Sequence, residues 1–235
     1  MLVNSLPNKN GLLVALPPAV HDRLRPGLRR VRLEAGSTLY DISSTSDHTW
    51  FITSGIVSLL TAPEVGGVIE VATIGREGMV GFSGITKRNG IKLRAYVRVS
   101  GEALRIEAKT LQNMIEQESG FLELLFDYTN TLIAQMAVTG ACNRFHKAEQ
   151  RLARWLLTAR DQVSSDSMAL TQDDMRQMLG VSRSRIGLAV RALQKKGLIH
   201  YLRSHVRILN LERLEDAACG CNRAISRAIG WILPP

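Results

Sequence analysis

Cysteine, long apolar runs and enzyme signatures are all scarce in this chain of 235 residues, and each scarcity excludes something. There are three cysteines, Cys142, Cys219 and Cys221. An odd, small number does not build a disulfide scaffold. Cys219 and Cys221 flank one glycine and can hold a metal or act as a redox pair. A closed zinc site needs four ligands, however, and Cys142 and the histidines lie far off in sequence. The expectation is reduced surface thiols and no metal. No apolar run approaches the ~20 residues of a membrane span. The stretch 12–16 is short and stops at Pro17-Pro18. The N-terminus lacks a signal-peptide pattern, so a cytoplasmic chain without a membrane partner is expected. Neither G-x-x-x-x-G-K-[ST] nor H-E-x-x-H nor G-x-S-x-G occurs, and five scattered histidines form no constellation. No catalytic residue is assigned and no enzyme is expected.

What is present is positive charge, and it is segregated. The net charge is +9. Residues 1–140 carry 14 Lys/Arg against 13 Asp/Glu, whereas 141–235 carry 16 against 8. A basic excess confined to one end favours a nucleic-acid partner over general stickiness.

The basic end holds the most informative stretch, TQDDMRQMLGVSRSRIGLAVRALQKKG at 171–197. Thr171 and Asp174 have capping-box spacing and predict a helix start. Gly180 suits a left-handed helix stop, and Ser182 is the predicted cap of the next helix. Ile186, Ala189, Val190 and Leu193 then recur at i, i+3, i+4 and i+7, one buried face. The opposite face carries Ser184, Leu188, Arg191 and Lys195, with Arg183 and Arg185 flanking the first turn. This is the pattern of a helix-turn-helix whose second helix enters a DNA groove. Residues 198–202 and 206–209 read as a hairpin behind it, with Arg203-Ser204-His205 as a polar, basic tip suited to phosphate contact. An amphipathic helix pair in a helical core explains the apolar face without the coincidence of caps, basic first turn and hairpin.

The rest divides by texture. Residues 1–10 read as a loose tail and 17–25 as a short helix. From residue 28, short apolar runs alternate with Gly36, Gly55, Gly66-Gly67 and Gly75, predicting successive short strands of a β-barrel or β-roll. Further strands are expected at 93–99 and 103–106. Gly75, Gly78, Gly81 and Gly84 recur every third residue and either cradle an anion or permit a tight bend. A helix is expected over about 121–145. Leu122, Leu125, Thr129, Leu132, Met136, Thr139 and Asn143 form a heptad-like seam for a partner chain. Phe121, Leu124, Tyr128 and Ile133 are left to pack on the strands. A buried core helix is the alternative. A helix over 149–163, a short strand at 168–170 and a helix at 211–218 follow; 222–235 has apolar positions without an assigned element.

With VRLEAGSTLYD, FITSGIVSLL and TQDDMRQMLGVSRSRIGLAVRALQKKGLI in this order, the sequence resembles the cyclic-AMP receptor protein and fumarate–nitrate regulator (Crp/Fnr) family of bacterial transcription regulators. The resemblance spans roughly residues 12–215. It implies an α+β chain: a cyclic-nucleotide-binding-like β-roll (12–118), a dimerisation helix (119–145) and a winged helix-turn-helix (146–235). It implies a homodimer on palindromic DNA, with RNA polymerase as a further candidate partner. Dimer contacts fall on Leu125, Leu132 and Met136. By the same resemblance Arg183 is the base-reading arginine, which its bidentate fit to guanine O6 and N7 supports. Ser182, Ser184, Arg185 and Arg191 lie beside it, Thr171 and Gln172 meet phosphates, and Arg203 and His205 sit at the wing. Leu188 departs from the family's basic residue and is suited to a thymine methyl. The ligand segment departs further. Gly81-Phe82-Ser83-Gly84 and Leu93-Arg94-Ala95 stand where cyclic-nucleotide binders carry a ribose-binding glutamate and a phosphate-binding arginine. Adjacent strand residues face opposite ways, so Arg94 points outward if Leu93 points inward. No cofactor is expected and cyclic AMP is not an expected ligand. A small-molecule sensor with an unidentified ligand in the roll is the alternative function.

Overall fold

The computed structural model describes residues 10–64, 67–85 and 93–232. The predicted tail up to residue 9, Gly66 of the predicted Gly66-Gly67 turn and the final Pro-Pro fall outside them. Two short helices, α1 (Gly11–Ala15) and α2 (Pro18–Leu24), precede the strands β1 (Arg29–Leu33), β2 (Thr38–Tyr40), β3 (His48–Thr61), β4 (Ile69–Ile74), β5 (Met79–Val80) and β6 (Arg94–Glu107). The helices α3 (Ala108–Gln117), α4 (Ser119–Phe145) and α5 (Ala148–Val163) follow. The remainder is β7 (Ser167–Ala169), α6 (Gln172–Leu179), α7 (Arg183–Lys195), β8 (Ile199–Leu202), β9 (His205–Ile208), α8 (Leu211–Ala217) and α9 (Cys221–Ile229).

The N-terminal sheet is antiparallel, in the order β1-β6-β3-β4, with β2 on β6 and β5 on β3. Its backbone is one long pairing of β3 with β6, where the sequence predicted successive shorter strands. Gly55, expected as punctuation, lies inside β3. It has φ +83, and the register slips on both sides of it. A Cβ there would stand 2.6 Å from the Val99 carbonyl oxygen. Glycine therefore bends a continuous strand through a bulge instead of ending it.

Asn10 is likewise no tail residue. It is buried, caps α1 by accepting from the Leu13 amide at 3.1 Å, and donates through Nδ2 to the Ile52 and Gly78 carbonyls at 2.7 and 2.8 Å. The glycine triplets are close-approach points. Added Cβ atoms would meet the Gln162 side chain at Gly75, the Tyr128 hydroxyl at Gly78 and the Ser46 carbonyl at Gly84. Tyr128 fills the space over Gly78, donating to the Met79 carbonyl and accepting from its amide, both at 3.0 Å. This packing favours the tight-bend reading of the repeat.

α4 buries Phe121, Leu124, Leu125, Tyr128 and Leu132 in the core of the roll. This corrects the expected seam. Leu125 and Leu132 are only 7% and 9% exposed and face inward, while Met136 packs partly against the same core. The large apolar side chains α4 presents outward are Leu122, Phe126, Ile133 and, at its last residue, Phe145, with Phe126 63% exposed. Ile133, expected on the strands, is exposed on this side and also lines a recess shared with the strand residues Leu59 and Val80. Of the expected seam, Leu122 lies on this exposed side, whereas Leu125 and Leu132 do not.

A second core gathers α5, α6, α7, α8 and the sheet β7-β9-β8, and it includes Ile56 from β3. The two parts meet through a buried polar chain. Glu70 of β4 accepts from Trp155 Nε1 at 3.0 Å and from Thr73 Oγ1 at 2.7 Å, and it pairs with the Ser58 hydroxyl. Arg98 of β6 donates to Ser58 Oγ at 3.2 Å and to Asp174 Oδ1 at 2.5 Å. α9, unassigned from sequence, returns to α4: Ile225 is buried, Trp231 Nε1 donates to Thr131 Oγ1 at 2.9 Å, and Ile232 reaches Gly11. No helix among the described residues is long and apolar enough to cross a membrane.

Candidate nucleic-acid interface

α6 begins at a complete capping box. Thr171 Oγ1 accepts from the Asp174 amide at 3.0 Å, and Asp174 Oδ2 accepts from the Thr171 amide at 2.9 Å. Asp174 also holds Arg98 through its other oxygen, so the same carboxylate that starts α6 fastens it to the roll. Asp173 accepts from Arg176 and Gln177, both at 2.9 Å, and the Arg176 hydrogen bond holds its carboxyl below the usual range. Gly180 ends α6 in the left-handed conformation, φ +56, with Ile69 of β4 packed where a Cβ would stand. Only glycine satisfies both demands at once.

α7 then presents its two faces as expected. Ile186, Ala189, Val190 and Leu193 are buried. Arg183, Ser184, Arg185, Leu188 and Arg191 are exposed, Leu188 at 61%. Ser182 occupies the cap position with extended backbone, but its hydroxyl faces Ser184 Oγ at 3.0 Å and makes no capping bond. The helix start is correct, and the predicted side-chain cap is not formed. Arg191 lies across Gly187, whose Cβ would come within 3.3 Å of its guanidinium.

The wing is a hairpin of β8 and β9 extended by β7. Its tip is two residues, Arg203 and Ser204, both left-handed (φ 47 and 62), the geometry of a tight two-residue hairpin turn. His205, expected in that turn, instead opens β9, its Nδ1 3.1 Å from the Arg203 carbonyl oxygen. Thr171 and His205 are exposed and Gln172 is half-buried.

A second recess lies in the roll. A cavity of about 220 Å³ is lined by Tyr40, Phe82, Ser83, Leu93, Ile133 and Met136 among others. Phe82 stacks on Tyr128, ring centres 5.6 Å apart. Burial pushes the Tyr40 phenol up to about 12, so it stays neutral. Of the five expected ligand residues, Phe82, Ser83 and Leu93 line this cavity. Gly81 serves as a left-handed backbone turn packed on His48. Arg94 points away and pairs through two nitrogens with Asp41 at 3.1 and 3.2 Å.

Sequence reasoning missed one further cluster. Cys142 and His146 at the end of α4 meet Cys219 and Cys221 at the start of α9, with all four ligand atoms within 4.8 Å of one another. Cys142 and Cys219 are buried, not surface thiols. Nothing local announces a meeting across 77 residues.

The fold therefore defines a class: a sensor-type β-roll joined by a long helix to a winged helix-turn-helix, which is a DNA-binding regulator. The family model of the Crp-like helix-turn-helix domain matches residues 150–217, and that of the cyclic nucleotide-binding domain matches 30–118. The chain belongs to the Crp/Fnr family of transcription regulators. A Crp/Fnr-family transcriptional regulator from Eubacterium rectale is similar in structure, at 16% identity and TM-score 0.70, covering 89% of this chain and 98% of that one. FixK2 from Bradyrhizobium japonicum is similar at 14% identity and TM-score 0.67, covering 82% and 98%. The c-di-GMP responsive regulator CLP from Xanthomonas campestris is similar at 16% and 0.66, covering 83% and 100%. At such identities the likeness shows the fold. Comparison with curated protein sequences finds no match.

Proposed function

We propose that this Crp/Fnr-type regulator acts in the cytoplasm as a homodimer on a palindromic promoter site, without dependence on cyclic AMP. The exposed basic first turn of α7 carries the reading. Arg183 is assigned to a guanine through two hydrogen bonds, worth about 1–3 kcal/mol of discrimination. Ser182, Ser184, Arg185 and Arg191 support it on the groove face. Leu188 is assigned to a thymine methyl. Thr171, Gln172, Arg203 and His205 are assigned to the phosphate backbone. RNA polymerase is the further partner of the same proposal. Binding to promoter fragments, wild type against Arg183→Ala, tests the assignment: the variant should lose site preference while retaining salt-dependent nonspecific affinity. Unchanged preference would remove Arg183 from the reader.

Dimerisation is assigned to the outward stripe Leu122, Phe126 and Ile133, extended by the partly buried Met136, whose steps of four, seven and three residues suit a paired helix. Sedimentation of Phe126→Glu should show a monomer, and a stable dimer would reject the stripe.

Independence from cyclic AMP rests on the roll. A cyclic phosphate needs charge-assisted hydrogen bonds, each worth about 1.5–3 kcal/mol. Leu93 offers none, and Arg94 is committed to Asp41 on the other side. A second reading is favoured by the cavity itself: a small, mostly apolar effector fits its lining of Phe82, Leu93, Ile133 and Met136. Thermal shifts separate the two, with cyclic nucleotides expected to produce none.

A further inference from the structure

We propose that Cys142, His146, Cys219 and Cys221 form a four-coordinate Zn²⁺ site that clips the C-terminal segment to the end of the long helix. The distances suit the ion. Metal–sulfur bonds of about 2.3 Å in a tetrahedron place the sulfurs about 3.8 Å apart. Here Cys142 Sγ stands 3.4 Å from Cys219 Sγ, and Cys221 Sγ stands 3.6 Å from His146 Nδ1. All four donors lie within 4.8 Å, so sub-ångström adjustments close the shell.

The supporting geometry is built on two helix ends. Cys142 and His146 are four residues apart, on one side of the last turn of α4, where the His146 amide still donates to the Cys142 carbonyl at 3.1 Å. Cys219 and Cys221 bracket Gly220 at the start of α9. Cys142 and Cys219 are buried, while His146 and Cys221 are half-buried and leave a side open to solvent for entry.

Charge points the same way. Arg151 and Arg154 are buried beside the cluster and act electrostatically on Cys142 and Cys219. Each has an Nε without a hydrogen-bond partner. Among the described residues neither makes a salt bridge to a carboxylate. Buried guanidinium groups need a compensating anion. Neutral thiols supply none. Three thiolates and a neutral imidazole on Zn²⁺ carry a net charge of one minus, held where both guanidinium groups lie. Binding balances as one Zn²⁺ taken up and three thiol protons released to solvent.

The donor set selects the metal class. Three thiolates and one imidazole in a tetrahedron suit zinc, and the absence of carboxylate from the shell argues against magnesium or calcium. Four protein ligands leave no open position, so the role is structural, not catalytic. The clip holds three elements at once: the end of α4, the short connection to α5 at His146 and Lys147, and α9, which packs back on α4. It fixes the angle at which the DNA-reading part leaves the long helix.

The test uses the full chain purified in reductant. Elemental analysis should give one zinc per chain. After chelation, titration with Co²⁺ should produce a tetrahedral ligand-field spectrum with thiolate charge transfer, saturating at one equivalent and displaced by Zn²⁺. Cys221→Ser and His146→Gln, at the two half-buried positions, should each weaken Co²⁺ binding more than about tenfold, with circular dichroism confirming the fold. Zinc should raise the melting temperature of wild type by several degrees and that of Cys221→Ser by much less. A folded, reduced wild type that retains no zinc and gives no cobalt spectrum overturns the proposal. So does an iron–sulfur chromophore, or a Cys142–Cys219 disulfide that forms in the presence of zinc.

Discussion

The DNA reader and the β-roll are built by opposite strategies. In the reader, almost every decisive relation is local: Thr171 with Asp174, Gly180 between two helices, Ile186 with Val190, Arg203 with Ser204. In the roll, the decisive relations span tens of residues: Asn10 with Gly78, Gly55 with Val99, Gly78 with Tyr128, Arg98 with Asp174. The reader's surface exposes the basic first turn on which the proposed function rests, whereas the recess of the roll is lined by Phe82 and Leu93 and offers no cation to a phosphate on the reading proposed above. A local motif is set by neighbours within a few positions, whereas a cavity is set by packing between distant segments.

The largest expected effect lies where the two regions meet. Arg98→Met leaves Asp174 without its cation and Ser58 without its donor. It should lower stability by about 3 kcal/mol in urea denaturation. A loss near zero would show that reader and roll are energetically separate. Next, Gly78→Ala drives a Cβ into the Tyr128 hydroxyl, 2.2 Å away, and should cost about 2 kcal/mol of stability. The folded fraction should bind the same DNA sites, since the damage is confined to the roll. Arg183→Ala inverts that outcome: unchanged melting and a loss of about 2 kcal/mol in discrimination between specific and mismatched DNA. Leu188→Ala should be smaller still, relaxing preference at one position by about 1 kcal/mol in competition binding.

The smallest effect is a pH signature confined to the roll. Burial raises the Glu77 carboxyl above its ordinary value, and the folded state binds its proton more tightly than the unfolded chain does. The stability it contributes is therefore present at acid pH, below the ordinary carboxylate range. It is lost as pH rises through the folded value. Glu77→Gln should be more stable than wild type at neutral pH, and the advantage should vanish in acid. Parallel denaturation curves at both pH values check it.

The same contrast explains what could be read from residues alone. The capping box, Gly180 and the buried face of α7 follow from neighbours within a few positions, and the structure matches them. The phase of α4 did not follow. Leu125 and Ile133 both satisfy a heptad, and only the roll's position decides which faces inward. Gly55 reads as a stop because a bulge needs its partner strand to be seen. Ser182 reads as a cap, but Ser184 takes its hydroxyl. α9 is short and ends near prolines, so its pairing with α4 has no local signature. The thiol cluster is the extreme case: the two halves of a four-residue site are separated by most of the DNA-reading part of the chain.

The central claim is that an ordinary reader of its family is coupled to a roll that does not answer to cyclic AMP. Quantitative footprinting of promoter DNA with the full chain, at fixed salt and with or without cyclic AMP, tests it most directly. The account predicts two protected half-sites about 10 base pairs apart, with the same affinity in both conditions. Protection that appears or tightens only when cyclic AMP is added would contradict it.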